Sequence, residues 1–162
     1  MEKMEQEETK KITAIEVHTD GACRDNGKKD EDGKDLSRGG WAYKITEKNG
    51  EEVLRTVMAG GNEKGTKNNR MEMIAILAAM RMINEKSVPV KLHSDSEIVI
   101  KGLNGEYGHK KNEDLWEQLM AEKEKFSDIT FEWEKGHIED NPDNAEVDKL
   151  ATDMADKLKQ EK

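Results

Sequence analysis

The chain is poor in the residues that staple or stiffen small proteins, with one cysteine and two prolines in 162 residues. A lone Cys23 excludes an internal disulfide, and a reducing cytoplasm is the simplest setting for such a chain. Long apolar runs are missing too. The longest, Ile74 to Met80, is far too short to span a bilayer. Met1 to Lys11 is charged and has no apolar centre, so it does not read as a secretory signal. Positive charge is also lacking, because 27 Lys and Arg face 36 Asp and Glu, a net charge of −9. That balance argues against a protein that coats nucleic acid, which needs a basic footprint. It does not exclude a nuclease, since carboxylates that hold divalent cations are themselves counted as negative charge. Aromatic residues make up 4% and hydrophobic residues 33% of the chain, against 39% charged. Disorder is a concern at such a composition. The apolar residues are nevertheless gathered into dense, periodic stretches, which favours one folded domain over residues 11–162 behind a charged tail at 1–10.

Those stretches predict an order of β-β-β-α-β-α-α-β-α. Ile12 to Thr19 alternates as a strand, with Ile15, Val17 and Thr19 on one face and Glu16, His18 and Asp20 on the other. Residues 24–38 are charged, hold two glycines and read as a loop. Gly40 to Thr46 and Val53 to Ala59 read as strands joined by a hairpin at Asn49-Gly50. A helix from Asn69 to Glu85 is apolar nearly all round, which predicts burial at the centre of the molecule. Further elements are a strand Val88 to Ser94, helices Ser96 to Leu103 and Asn112 to Lys125, and a strand Ile129 to Glu134. A last helix opens at Asn141-Pro142, with Val147, Leu150, Ala151, Met154 and Leu158 as its buried stripe. An antiparallel meander followed by alternating helices and strands predicts an α/β fold. Its sheet is mixed and five-stranded, three antiparallel strands and then parallel ones, with helices packed on it.

Two strands end alike, one in His18-Thr19-Asp20-Gly21 and the other in His93-Ser94-Asp95-Ser96. Ligand sites of α/β sheets gather at the carboxyl ends of strands, so parallel neighbours here would bring Asp20 and Asp95 together. Paired carboxylates stay ionised together only around a cation. For either residue alone a turn or helix cap is an equal reading, and Asp95 in particular is placed to cap the helix after it. Glu72 is the only charged side chain between Met71 and Met80 of the helix expected to be buried, where a charge needs a partner or a ligand. A first-turn Glu favoured by the helix dipole is the alternative. Asp148 lies at the margin of the last helix's apolar stripe, and taken alone it reads as an ordinary exposed Asp. His137 follows Gly136 at a strand end, where a mobile imidazole suits proton handling. His18 and His93 read as packed within strands, and His109 as part of an exposed Gly/Lys turn. No His/Cys spacing points to zinc, and Cys23 reads as a small buried residue. Four carboxylates without thiolates favour Mg²⁺ or Mn²⁺. Two such ions about 4 Å apart can activate a water and stabilise a leaving oxygen in phosphodiester hydrolysis.

Five segments, in this order, resemble the type 1 ribonuclease H family over Ile15 to about Ala155. They are Thr19-Asp20-Gly21-Ala22-Cys23, Asn68-Asn69-Arg70-Met71-Glu72, Ser94-Asp95-Ser96, Lys135-Gly136-His137, and Asn144-Ala145-Glu146-Val147-Asp148-Lys149-Leu150-Ala151. The resemblance implies endonucleolytic cutting of the RNA strand of RNA–DNA hybrids, leaving 3′-OH and 5′-phosphate ends, by a monomer with two Mg²⁺ ions that Mn²⁺ replaces. It implies that Asp20 bridges both ions and that Asp148 completes the site of the ion that activates water. Glu72 and Asp95 would hold the ion on the leaving-group side. His137 would assist catalysis or product release. Asn26, Asn68 and Asn69 match positions that touch the hybrid's minor groove, where the 2′-OH distinguishes RNA from DNA.

The chain departs from the family pattern in four places. A charged insertion, Lys28 to Ser37, precedes Arg38-Gly39-Gly40-Trp41 and reads as a solvated surface loop. Lys67 stands where relatives carry a small hydroxyl residue that grips a DNA phosphate, and a lysine serves there as a point charge. Glu97 replaces a glutamine. The long basic protrusion of many relatives is short here, from Lys101 to Asn112, with Tyr107, His109, Lys110 and Lys111 as its remnants. Together with the acidic net charge this predicts modest hybrid affinity and steep salt dependence. Nothing before Lys11 reads as a separate hybrid-binding domain. Three other readings compete: a hybrid-binding module without catalysis, another nuclease of the same superfamily, and an acidic scaffold. The complete carboxylate set speaks against the first. The first-strand ending Asp20-Gly21-Ala22 is not the Asp-x-Glu of proofreading exonucleases. A scaffold leaves the buried Glu72 unexplained.

Overall fold

The computed structural model describes residues 10–106, 109, 111–135 and 141–158. The tail at 1–9, Tyr107, Lys110 and the His137 loop lie outside the described residues. Five strands form one sheet, β1 (Ala14–Arg24), β2 (Arg38–Asn49), β3 (Glu52–Lys64), β4 (Val90–Ser94) and β5 (Ile129–Trp133). Four helices accompany them, α1 (Asn68–Met82), α2 (Glu97–Leu103), α3 (Glu113–Lys123) and α4 (Pro142–Asp156). The spatial order is β3-β2-β1-β4-β5, and the sheet is antiparallel from β3 to β1 and parallel from β1 to β5, the mixed five-stranded sheet that the element pattern predicts.

β1 outruns its predicted end at Thr19. Its parallel ladder with β4 stops at Thr19↔Ser94, but antiparallel pairing with β2 continues from Asp20↔Ala42 to Arg24↔Arg38. Asp20 is therefore mid-strand, one residue past the last parallel pair, and Asp95 is one residue past the same pair on β4. The matched endings seen in the sequence are matched in space by register, not by two strands stopping. β2 and β3 are likewise longer than predicted, joined by the tight Gly50-Glu51 turn with Gly50 at φ 58°. β3 is an edge strand, and its charged Arg55, Glu63 and Lys64 discourage pairing with another chain.

The two faces of the sheet differ. Ile15, Val17, Tyr43, Ile45 and Leu92 pack with Met73, Ile76, Leu77 and Met80 of α1 and with Leu115, Trp116 and Leu119 of α3 in the main core. Ala42, Val147 and Ala151 form a smaller cluster under α4 on the opposite face, flanked by Ala22 and Leu150. The buried stripe of α4 is narrower than predicted: Asn144, Val147, Ala151 and Ala155, with Leu150, Met154 and Leu158 only partly covered. Gly40 accounts for this. A Cβ there would fall 2.0 Å from the Ala151 carbonyl oxygen, so helix backbone lies directly on strand backbone and only small residues fit between. α1 starts and stops earlier than predicted, because Ile83 turns to extended backbone and buries its own side chain.

Candidate active site

Gly21 lets the first pair of acids meet. An added Cβ at Gly21 would lie 2.5 Å from the Glu72 backbone nitrogen and 2.6 Å from the Met71 carbonyl carbon. The first turns of α1 therefore touch β1, and Glu72 reaches the strand beside Asp20. Glu72 is the fifth residue of α1, beyond the first turn, and it is 4% exposed, so the dipole reading does not account for it. Ser96 decides the position of Asp95. Its hydroxyl accepts from the Val99 N–H as the N-cap of α2, which leaves the Asp95 carboxylate for the cleft instead of the cap. The Trp133 indole Nε1 also donates to the Asp95 carbonyl at 3.1 Å and pins that peptide.

Asp20, Glu72 and Asp95 each present a carboxylate oxygen within 4.8 Å of the others. Asp148, half-buried on α4, is outside that trio, yet its charge acts on Asp20. Asp20 is 3% exposed. Its Oδ1 accepts from the Gly21 N–H at 2.8 Å, while Oδ2 is buried without a partner, as is Glu72 Oε1. Burial, and then the Asp95 charge, push the Asp20 carboxyl up to about 8. Burial followed by the Asp20 and Asp95 charges raises Glu72 well above the carboxylate range. No cation among the described side chains completes the cluster. Two orphaned buried oxygens in an all-oxygen donor set fit hard divalent ions.

This electrostatic strain has a measurable sign. A carboxyl whose folded pKa exceeds its unfolded value costs no stability below the unfolded value. The cost grows as pH rises from about 4 to about 8, where the folded group finally ionises. In EDTA, the melting temperature of Asp20→Asn minus that of the wild type is therefore expected to widen across that window. Thermal unfolding at stepped pH checks this, and saturating Mg²⁺ should close much of the gap by stabilising the wild type. A difference that is flat with pH would contradict the assigned strain.

Other predicted residues fall around the cluster. Asn26, Lys67, Asn68 and Asn69 are exposed. Cys23 is half-buried rather than buried, and its Sγ lies 3.8 Å from both the Asn26 Oδ1 and the Thr66 carbonyl. It thus lies between the loop after β1 and the segment that leads into α1. Lys67 Nζ lies 3.7 Å from Asp35 of the charged insertion, so its charge is partly countered. The insertion is a small folded turn, with a bridge between Lys29 and Asp35 and Gly33 at φ 82°. His109 is not in an exposed turn. It stacks on Trp116 at 4.1 Å and its Nε2 meets the Gly102 carbonyl at 2.8 Å. The Trp116 ring in turn occupies the space a Gly102 side chain would need. Sequence reading assigned no role to Gly21, Ser96 or Trp133; only the short Asp95-Ser96 spacing hinted at competition for the cap.

Comparison with known proteins gives a consistent picture. The family model described as RNase H matches residues 12–156. The chain is similar to Ribonuclease H of Xanthomonas campestris pv. campestris, 37% identical over 157 residues that cover 89% of this chain and 93% of that protein. It is 34% identical over 151 residues to Ribonuclease H of Chromobacterium violaceum, covering 85% of this chain and 91% of that one. LC11-RNase H1, solved in complex with an RNA/DNA hybrid, superposes with a TM-score of 0.67 at 22% identity over 88% of this chain and 97% of its own.

Proposed function

Because this chain belongs to the ribonuclease H family, we propose that it hydrolyses the RNA strand of RNA–DNA hybrids with two Mg²⁺ ions held by Asp20, Glu72, Asp95 and Asp148, Mn²⁺ serving in their place. The observation that carries this reading is the pair of buried oxygens without partners, Asp20 Oδ2 and Glu72 Oε1, beside Asp95. When bound, two such ions supply Lewis acidity to an attacking water and to the leaving oxygen. The chain's own residues hold the scissile phosphate and ready the cluster. Asp20 and Glu72 release protons as they take up their ligand role. Asn26, Asn68 and Asn69 offer amides to the 2′-OH groups of the hybrid. Lys67 and the start of α1 face a phosphate. That helix has no side-chain cap and no acid in its first turn, so its N–H groups are free for an anion. His137 moves a proton near the leaving group or speeds product release. A monomer in the cytoplasm suits a chain with one cysteine and, among the described residues, no helix long and apolar enough to cross a membrane.

The test is an end-labelled hybrid incubated with Mg²⁺ beside matched RNA duplex, DNA duplex and single strands. Cutting confined to the RNA of the hybrid, with 3′-OH and 5′-phosphate ends, is expected. Hybrid that binds but is not cut at low salt in Mg²⁺ or Mn²⁺ would favour a binding module instead. His137→Ala is expected to slow turnover by about 10- to 100-fold, a share of the usual general acid–base contribution. A full rate in steady-state assays would remove the loop histidine from the mechanism.

A further inference from the structure

A second cluster of metal-ligating side chains lies on the α4 face of the sheet, two residues before the catalytic acids on both β1 and β4. His18 and His93 are register partners on the parallel strands, and their rings stack at 4.6 Å with 12° between planes. The Nε2 atoms of both rings turn to one oxygen, Glu16 Oε1, at 3.0 Å from His18 and 4.0 Å from His93. Asp143, in the first turn of α4, brings Oδ2 to 3.6 Å from His18 Nε2. One donor atom from each of Glu16, His18 and His93 lies within 4.8 Å of the other two. A tetrahedral zinc with bonds of about 2.0–2.2 Å needs donors roughly 3.3 Å apart and lies in the plane of each imidazole, so the two rings must turn out of their stack to close the set.

Three independent features favour a metal over a plain ion-pair network. The outer nitrogens face carboxylates: His18 Nδ1 is 3.1 Å from Glu134 Oε1, and His93 Nδ1 is 3.7 Å from Glu132 Oε2. Both outer nitrogens thus have carboxylates to accept their protons, as in the supporting shell of a metal site. His93 Nε2 is buried with no hydrogen-bond partner. The nearby lysines also leave the relevant oxygens alone. Lys48 takes Glu16 Oε2 and Lys44 takes Asp143 Oδ1, so Glu16 Oε1 and Asp143 Oδ2 remain directed at the histidines. Imidazole with carboxylate is a donor set for borderline divalent ions and not for Mg²⁺.

We propose that Glu16, His18, His93 and Asp143 form a structural transition-metal site, taking Zn²⁺ by preference, separate from the catalytic carboxylates. The bound ion ties α4 to β1 and β4, and so fixes the helix that carries Asp148 against the strand that carries Asp20. Sequence spacing does not reveal it, because the two histidines are far apart in the chain and meet only through the parallel register.

The test is calorimetric titration of Zn²⁺ into the full chain in saturating Mg²⁺, with the imidazole resonances followed by NMR. Wild-type protein is expected to bind one zinc equivalent that shifts the His18 and His93 resonances and raises the melting temperature. His93→Gln and Asp143→Asn should each weaken that equivalent at least tenfold. Zinc binding that is absent, or that is unchanged in either variant, overturns the site, since zinc seated only at the catalytic acids would not respond to them. If His93→Gln fails to fold, Asp143→Asn on the partly exposed helix start decides the matter alone.

Discussion

Asp20→Asn is expected to lower hybrid cleavage by on the order of 10³-fold or more while raising the melting temperature of the metal-free protein. The two effects have one cause. Asp20 is buried against Glu72 and feels Asp95 and Asp148 as well. Without a cation this is repulsion, and an amide of the same shape relieves it. With cations it is the ligand set, and the amide removes a full negative charge from it. Lewis-acid assistance is worth several kcal/mol, and each ~1.4 kcal/mol is a factor of ten in rate. Single-turnover cleavage and thermal unfolding in EDTA, run on the same preparation, check both halves. A stability gain without loss of rate would show that the cluster is strained for some purpose other than catalysis. Loss of rate with lowered stability would show instead that favourable contacts, not repulsion, dominate around Asp20.

Gly21→Ala should cost about 2–3 kcal/mol of stability and on the order of 10²-fold in rate, although Gly21 has no side chain to contribute to chemistry. The atoms a new methyl group would strike belong mostly to the backbone, the Glu72 nitrogen at 2.5 Å and the Met71 carbonyl carbon at 2.6 Å. Backbone in a regular helix cannot step aside as a flexible side-chain end can. Relief requires α1 to withdraw from β1, which carries Glu72 away from Asp20 and Asp95. A misplacement near 1 Å is enough to cost two orders of magnitude in rate. Denaturant unfolding and Mg²⁺-dependent cleavage measure the two terms, and part of the rate should return at higher Mg²⁺. Wild-type stability and rate in this variant would mean that the helix does not rest on the strand as described.

Legibility in the sequence followed the range of the interactions. Alternation and helical periodicity are local, so the element order and the mixed character of the sheet were readable from Ile15–Val17, from Met71–Met80 and from the Asn49-Gly50 turn. Ends of elements were less readable, because they are set by partners. β1 reaches Arg24 only because β2 lies beside it, and α4 buries alanines instead of Leu150 and Met154 only because Gly40 admits its backbone. The carboxylates were legible for the same local reasons that make them costly: an acid in an apolar helix, and two acids after similar strands. Their assembly depends on Gly21 and Ser96, whose roles are steric and capping and leave little trace in composition. His18 and His93 read correctly as strand residues, yet their stacking depends on a parallel register between segments far apart in the chain.

Calorimetric titration of Mn²⁺ into chelator-treated protein at neutral pH asks whether the buried acids form a cation site. Burial and the neighbouring carboxylates push the Asp20 carboxyl up to about 8 and raise that of Glu72, so wild-type binding should release protons, and the apparent enthalpy should vary with the ionisation enthalpy of the buffer. Asp20→Asn should bind far more weakly and release fewer protons. Equal affinity and equal proton release in the two proteins would mean that Asp20 is no part of a cation site.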